Sequence, residues 1–90
     1  MTTRVYVDFN ELLAPDVILL SQSDTRVDRD GHTVKLVEGM ELGVYSDDNE
    51  PDDIVADGVV WRNTDTGWSA HVKWVLKIDA RGIRYEPKTA

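Results

Sequence analysis

The sequence predicts an all-β domain, and three observations support this. Residues 68–78 alternate between apolar and polar side chains, which is the period of a strand whose two faces lie in different surroundings. Shorter runs of the same kind are separated by turn-forming residues about every 8–12 positions, and no useful length of chain has a helical period. The 90 residues are therefore expected to form one domain, a small, partly open β-barrel with about six or seven short strands.

The first third of the chain predicts two strands with a short helical turn between them. Val5, Val7 and Phe9 alternate with polar residues, which predicts a strand over residues 4–9. Asn10 is a suitable helix cap and Pro15 disfavours a helical residue before it, so residues 10–14 are expected to form one helical turn. The apolar residues 17–20 predict the second strand.

Turn residues place the other strands. The Asp30-Gly31 pair suits the positive φ angles of a type I′ turn and predicts a hairpin, while Gly39 predicts a bulge or bend. The remaining strands are expected at residues 26–28, 32–37, 41–46, 54–63, 68–78 and 83–86. This order of short strands resembles SH3-like and OB-like barrels in shape only, because the signature residues of those families are absent.

The formal net charge of −7 is concentrated in one part of the chain. Residues 47–57 contain six acidic residues and no basic one, whereas residues 58–90 carry a net positive charge. The overall sign argues against broad electrostatic attraction to nucleic acids or anionic membranes.

Composition excludes several other classes of protein. The chain has no cysteine, which excludes a disulfide scaffold, a thiolate metal site and cysteine catalysis. No apolar run is long enough to span a bilayer, and no apolar leader follows Met1. We therefore expect a cytoplasmic protein that requires no cofactor.

The acidic segment at residues 47–53 is the first candidate binding site. Its carboxylates are Asp47, Asp48, Glu50, Asp52 and Asp53. They do not follow the calcium-loop pattern, because a proline stands where a further ligand belongs and the required glycine is missing, so no metal site is predicted. The segment is a solvated loop that blocks unwanted strand pairing, a contact surface for a basic partner or, as a third alternative, a calcium-binding loop that stabilises the barrel.

Aromatic residues near this segment are the second candidate. Trp68 and Trp74 lie on the apolar face of the predicted strand at residues 68–78, so both are expected in the core, although Trp68 at the strand start can also take an edge position. If Trp61 on the neighbouring strand faces the core, Tyr45 is expected to be at least partly exposed. Exposed aromatic rings beside carboxylates suit a partner's arginine or lysine, which can lie over the ring face.

Catalytic patterns are absent. The two histidines, His32 and His71, lie in no recognisable zinc or nucleophile motif, and no serine has the surroundings of a nucleophile elbow. Domains of this size rarely enclose the roughly 300 Å³ that small-molecule sites need. We therefore expect a protein without enzymatic activity.

The sequence thus predicts an interaction module that binds a basic protein or peptide segment through residues 47–53, Tyr45, Trp61 and Trp68, or by adding a strand to an exposed edge. The alternative is a nucleic-acid-associated barrel that uses basic residues of the C-terminal third. Those residues are Arg62, Lys73, Lys77, Arg81, Arg84 and Lys88.

Overall fold

The computed structural model describes residues 3–47 and 51–87, and all regular secondary structure within them is β-strand. The strands are β1 (Arg4–Tyr6), β2 (Leu12–Ala14), β3 (Val17–Ser21), β4 (Thr25–Val27), β5 (Thr33–Lys35), β6 (Glu41–Ser46), β7 (Asp52–Arg62), β8 (Trp74–Ile78) and β9 (Arg84–Pro87). The predicted all-β class is confirmed. Within the described ranges no helix is long and apolar enough to cross a membrane.

Seven of these strands form one sheet, in the order β1, β6, β7, β8, β3 and β2, with β9 also paired to β7. β1 is parallel to β6, and the other pairs are antiparallel. β4 and β5 form the predicted hairpin. This hairpin contacts β1 through a bridge between Val5 and Asp28 and through a 3.0 Å hydrogen bond from the Arg29 amide to the Arg4 carbonyl.

β7 has 11 residues and pairs with three other strands of the sheet. β6 pairs with residues 54–59 along one side of it. On the other side β8 pairs with residues 58–62 and β9 with residues 52–55, so β8 and β9 lie end to end along the same strand. The turn between them lies opposite Asp57, whose carbonyl accepts a 2.9 Å hydrogen bond from the Asp79 amide.

The main hydrophobic core lies on one face of this sheet. Val5, Val44 and Ala56 are register partners on three neighbouring strands, and all three are fully buried. Ile18 and Leu76, which pair between β3 and β8, belong to the same cluster. Because side chains alternate along a strand, the opposite face of β1, β6 and β7 is left for other residues.

The two ends of the sheet are connected by a side chain and not by strand pairing. β1 and β2 stand at opposite ends of the strand order and do not pair with each other in the described residues. Arg26 donates from Nη2 to the Tyr6 carbonyl at 2.8 Å and from Nη1 to the Leu20 carbonyl at 2.9 Å. Its guanidinium therefore joins β1 to β3. Because the described strands do not close the sheet by pairing, the partly open barrel stays a prediction.

The predicted strand over residues 68–78 is wrong in its first half, because only Trp74–Ile78 is a strand. Residues 68–71 form a turn instead. The Asp65 carboxylate accepts hydrogen bonds from the Ser69 amide at 3.1 Å and the Ser69 hydroxyl at 2.6 Å. The Asn63 side-chain amide donates to the carbonyls of Ser69 and Val72. Such local side-chain hydrogen bonds compete with strand pairing, and here they stabilise the turn.

The predicted helical turn at residues 10–14 is also wrong, since Leu12–Ala14 is a strand paired with β3. The Asp8 carboxylate accepts the Asn10 amide at 2.9 Å, and the Asp8 carbonyl accepts the Glu11 amide at 2.9 Å. This turn ends the first strand at Tyr6, earlier than predicted.

Candidate functional site

Part of the acidic segment at residues 47–53, which was predicted to be a loop, belongs to a strand. Asp52 and Asp53 belong to β7 and not to the connection that precedes it. Asp47 is exposed, Asp52 is half-buried, and Asp53 is only 3% exposed. Asp48 and Glu50 lie outside the described residues. We call this end of β6 and β7 the acidic end.

Asp53 and Tyr45 are brought together, but around an arginine of the same chain. Arg29 forms an ion pair with the Asp53 carboxylate, and its guanidinium carbon lies 4.0 Å from the centre of the Tyr45 ring. The hydrogen bond to Asp53 raises the pKa of Arg29. The chemistry predicted for a partner's basic residue is therefore present at this position, and Arg29 supplies the basic group.

The backbone explains why Arg29 reaches this position. Arg29 follows Asp28, which bridges to β1, and its amide is hydrogen-bonded to the Arg4 carbonyl. Tyr6 and Tyr45 are register partners on β1 and β6, and their rings meet edge to face with 5.8 Å between the ring centres. The hairpin connection is thus fixed beside an aromatic pair.

The tryptophans do not lie at the acidic end. Trp61 is nine residues beyond Asp52 on the same strand, which corresponds to about 30 Å at the rise of a β-strand. Trp61 is 37% exposed, with Lys77 Nζ 4.9 Å from its ring centre, and Trp68 in the following turn is 63% exposed. The predicted binding residues are therefore divided between two ends of β7, and we call the second the tryptophan end.

A group of charged residues, whose convergence the sequence did not predict, occupies the face of β1, β7 and β9 opposite the core. Arg4 donates two hydrogen bonds to the Glu86 carboxylate, at 2.9 and 3.0 Å, and Arg84 pairs with Asp57 at 2.6 Å. The hydrogen bonds from Arg4 lower the pKa of Glu86. We call Arg4, Asp53, Asp57, Arg84 and Glu86 the charged face.

Burial of the charged face has an energetic cost. Within the described residues, Asp53 Oδ1, Asp57 Oδ1 and Arg4 Nε are buried without a hydrogen-bond partner. A buried polar atom left unpaired typically costs about 1–3 kcal/mol. The sequence signal for this face is a pair of acidic residues four positions apart on β7, Asp53 and Asp57. Strands on an ordinary protein surface also show such pairs.

Tyr85 is a further residue that sequence reasoning missed. It is 71% exposed at the centre of β9, a strand that pairs only with β7 among the described strands. Tyr85 is the register partner of Ile54, so Asp52 is its diagonal neighbour on the same face, roughly 7–8 Å away between backbones. The acidic end therefore has an accessible aromatic residue after all, although it is not Tyr45.

A cleft of about 370 Å³ lies where the ends of the sheet approach each other. Tyr6, Asp8, Glu11, Arg26 and His71 line it. Its volume exceeds what we expected for so small a domain. However, in the described part of the chain neither histidine is hydrogen-bonded to a serine, and Ser69 is bonded to Asp65 and Asn63 instead.

Three of the five described basic residues of the C-terminal third have acidic partners. Lys73 pairs with Asp24 at 2.5 Å, Arg81 with Asp79 at 2.8 Å, and Arg84 with Asp57. The pKa values of Asp24 and Asp79 are lowered, chiefly by the hydrogen bonds from Lys73 and Arg81.

Trp74 is buried as predicted, and its indole Nε1 donates to Asp24 at 3.0 Å. Arg62 and Lys77 remain exposed at the tryptophan end, and Lys88 lies outside the described residues.

Comparison of the chain with protein-family models, curated proteins and solved structures found no match.

Proposed function

We propose that this chain is a cytoplasmic, non-enzymatic interaction module that binds a basic protein or peptide segment at its acidic end. The binding surface consists of Tyr85, Asp52 and Asp47. Tyr45 and Asp53 serve it indirectly, because they bind Arg29 and fix the hairpin beside this end.

The observation that carries the proposal is the exposure of Tyr85 on β9 at the end of the sheet where acidic residues are concentrated. A tyrosine ring in water offers its face to a cation, and a neighbouring carboxylate adds a direct charge interaction. A lysine or arginine side chain of a partner can use both at once.

Arg29 provides an example of this recognition within the molecule. Its guanidinium lies over Tyr45 and pairs with Asp53, so an aromatic ring and a carboxylate on this sheet already bind a basic side chain. Tyr85 and Asp52 are the corresponding pair on the other face of β7 and β9, and there the ring is open to solvent.

Among the described strands β9 pairs on one side only, with β7, and its other side supplies the main-chain contacts. A partner segment that adds as a strand hydrogen-bonds to an unpaired edge, and its alternate side chains then reach one face of the sheet. Such a segment would extend the order β6, β7, β9 by one strand and place basic side chains over Tyr85.

The proposal includes the partly open barrel shape. The guanidinium of Arg26 between the Tyr6 and Leu20 carbonyls supports it, because these bonds hold β1 and β3 near each other without strand pairing.

The test is titration of the protein with a fluorescent, extended lysine- and arginine-rich peptide of about ten residues, at low salt where surface charges are weakly screened. We expect saturable binding that Tyr85→Ala weakens about tenfold and the reversal D47K/D52K weakens further. Trp68→Ala is the matched control, since Trp68 is similarly exposed but lies at the tryptophan end. Equal effects of Tyr85→Ala and Trp68→Ala would contradict the proposal.

The second candidate, binding of single-stranded nucleic acid, is favoured by one observation. Trp61 and Trp68 are exposed at the tryptophan end, where Lys77 lies over Trp61 and Arg62 is exposed. Stacking of bases on aromatic rings beside basic side chains is the usual mode of such proteins. This candidate predicts that mixed-sequence oligonucleotides quench tryptophan fluorescence at about 50 mM salt and that Trp68→Ala reduces the effect, whereas Tyr85→Ala does not.

A further inference from the structure

The connection between β4 and β5 brings three metal-binding side chains together. Asp28, Asp30 and His32 each place one ligand atom within 4.8 Å of the others. They alternate along the sequence, and the turn at Gly31, with φ of 86°, directs all three to the same side of the hairpin. None of them takes part in the proposed peptide site.

The backbone of this connection is fixed before any ion binds. The Asp28 amide donates to the His32 carbonyl at 2.8 Å, and the Gly31 amide donates to the Asp28 carbonyl at 3.1 Å. The Asp28 Oδ1 atom accepts the amides of Asp30 and His32 at 2.9 and 2.8 Å. The three ligands are therefore held on a rigid turn, which lowers the entropic cost of binding.

The second carboxylate oxygen of Asp28, Oδ2, remains available to a further ligand. The Asp28 side chain is only 8% exposed, and in the part of the chain that the structure describes Oδ2 accepts no hydrogen bond. It lies 3.8 Å from His32 Nδ1, which is too long for a hydrogen bond. Two ligands of one zinc ion, each about 2.0–2.2 Å from it, are roughly 3–4 Å apart, so this separation suits a shared cation.

We propose that Asp28, Asp30 and His32 form a binding site for a divalent transition-metal cation of the Zn²⁺ type. One imidazole nitrogen and two carboxylate oxygens suit Zn²⁺, Co²⁺ or Ni²⁺, whereas Ca²⁺ and Mg²⁺ prefer all-oxygen sites. Three protein ligands leave at least one coordination position for water or a partner's side chain. Asp30 and His32 are exposed, so small rotations of their side chains can bring the ligand atoms to bonding distance.

The test is calorimetric titration of the full chain with Zn²⁺, with Ca²⁺ in parallel. We expect one Zn²⁺ per chain, and we expect His32→Ala and Asp28→Asn each to weaken binding at least about tenfold. Asp28→Asn keeps an oxygen that accepts the two backbone amides, so it removes the ligand without removing the turn. His71→Ala is the matched control, because His71 is the only other histidine and is also exposed.

A second measurement guards against loss of folding in the variants. Zn²⁺ should raise the Tm of the natural chain and of His71→Ala, and it should leave the Tm of His32→Ala unchanged. Equal Zn²⁺ affinity of His32→Ala and His71→Ala would overturn the proposal, as would Ca²⁺ affinity equal to that for Zn²⁺. Loss of peptide binding by Tyr85→Ala with Zn²⁺ binding retained would show that the two sites are independent.

Discussion

At the scale of single residues, Gly58 occupies a position with no room for a side chain. A Cβ atom there would lie 2.0 Å from the Lys77 carbonyl oxygen and 2.8 Å from its carbonyl carbon, both on the paired strand β8. Backbone atoms of a central strand cannot move aside as a side chain can. The glycine is therefore required by the close approach of β7 and β8 and not by turn formation.

Gly58→Ala is expected to destabilise the fold by about 3 kcal/mol, because overpacking against backbone forces the two strands apart. Urea denaturation monitored by tryptophan fluorescence measures the change. Gly67→Ala is the control, since a Cβ there meets only the Asp65 carboxylate at an ordinary 3.5 Å. A Gly58→Ala variant as stable as Gly67→Ala would contradict this close approach of β7 and β8.

Among the charged side chains, removal of Arg29 should lower the free energy of unfolding the most. Arg29→Met leaves the buried Asp53 carboxylate without its partner, which typically costs about 3–5 kcal/mol. Adding Asp53→Asn removes the stranded charge, so the double variant should be more stable than Arg29→Met alone. Chemical denaturation of the four proteins of this cycle tests it, and a double variant that is no more stable than Arg29→Met would disprove the buried pair.

At the scale of elements, β1 at one end of the sheet is linked by side chains to two other strands. Arg26 joins β1 to β3, and Arg4 joins β1 to β9 across the two strands between them. β1 is only three residues long, and a strand this short has few backbone hydrogen bonds of its own. We infer that these two arginines, and not strand length, keep β1 in place.

Arg26→Met should lower stability by about 1–3 kcal/mol, because it leaves two carbonyls without a charged donor. The loss should be localised, with faster amide hydrogen exchange in β1 and little change in β7 and β8. Arg62→Met serves as the control, since Arg62 is exposed and its guanidinium lies 5.6 Å from the Trp74 ring centre, away from the link between β1 and β3. Uniform acceleration across all strands would argue against a local role for Arg26.

At the scale of the whole molecule, the ion pairs make stability depend on pH. The pKa of Glu86 is lowered in the folded chain, chiefly by the hydrogen bonds from Arg4. A carboxyl group with a lowered folded-state pKa binds protons more weakly when folded. The Glu86 carboxylate therefore contributes fully to the free energy of unfolding above its unfolded-state pKa of about 4.3. This contribution is lost as the pH falls through the lower pKa of the folded state.

The difference in unfolding free energy between the natural chain and Glu86→Gln should thus be largest near pH 7. It should shrink steadily as the pH falls below about 4. Denaturation curves at a series of pH values measure it, with Glu38→Gln as control because Glu38 is exposed and has no ion pair among the described residues. A difference that stayed constant down to about pH 2 would show that Glu86 acts by packing and not by charge.

Sequence reasoning recovered the fold class and most strands, because hydrophobic alternation and turn residues are local signals. It failed at residues 68–73, where apolar alternation was present but Asn63 and Asp65 bind the Ser69 backbone and impose a turn. Apolar alternation produces a strand only where the apolar face is buried in a sheet. Here hydrogen bonds from side chains several positions away favour the turn instead.

The candidate site was harder to predict, because it depends on which strands become neighbours. Tyr45 and Asp53 both contact Arg29, but Arg29 comes from a hairpin whose docking on β1 no local pattern reveals. Trp61 lies on the same strand as Asp52, and only the length of that strand separates them. Tyr85 escaped notice because exposure at a sheet edge is a property of the assembled sheet.

The ion pair between Arg4 and Glu86 also has a consequence for how the chain is made. These residues are 82 positions apart, and β1 takes its place parallel to β6, which is synthesised long after it. During synthesis β1 waits several seconds for β6 to emerge, at typical rates of about 5–20 residues per second, and longer still for β9. The sheet is therefore complete only after β9 has left the ribosome, and until β6 emerges β1 lacks the strand with which it pairs in the folded sheet.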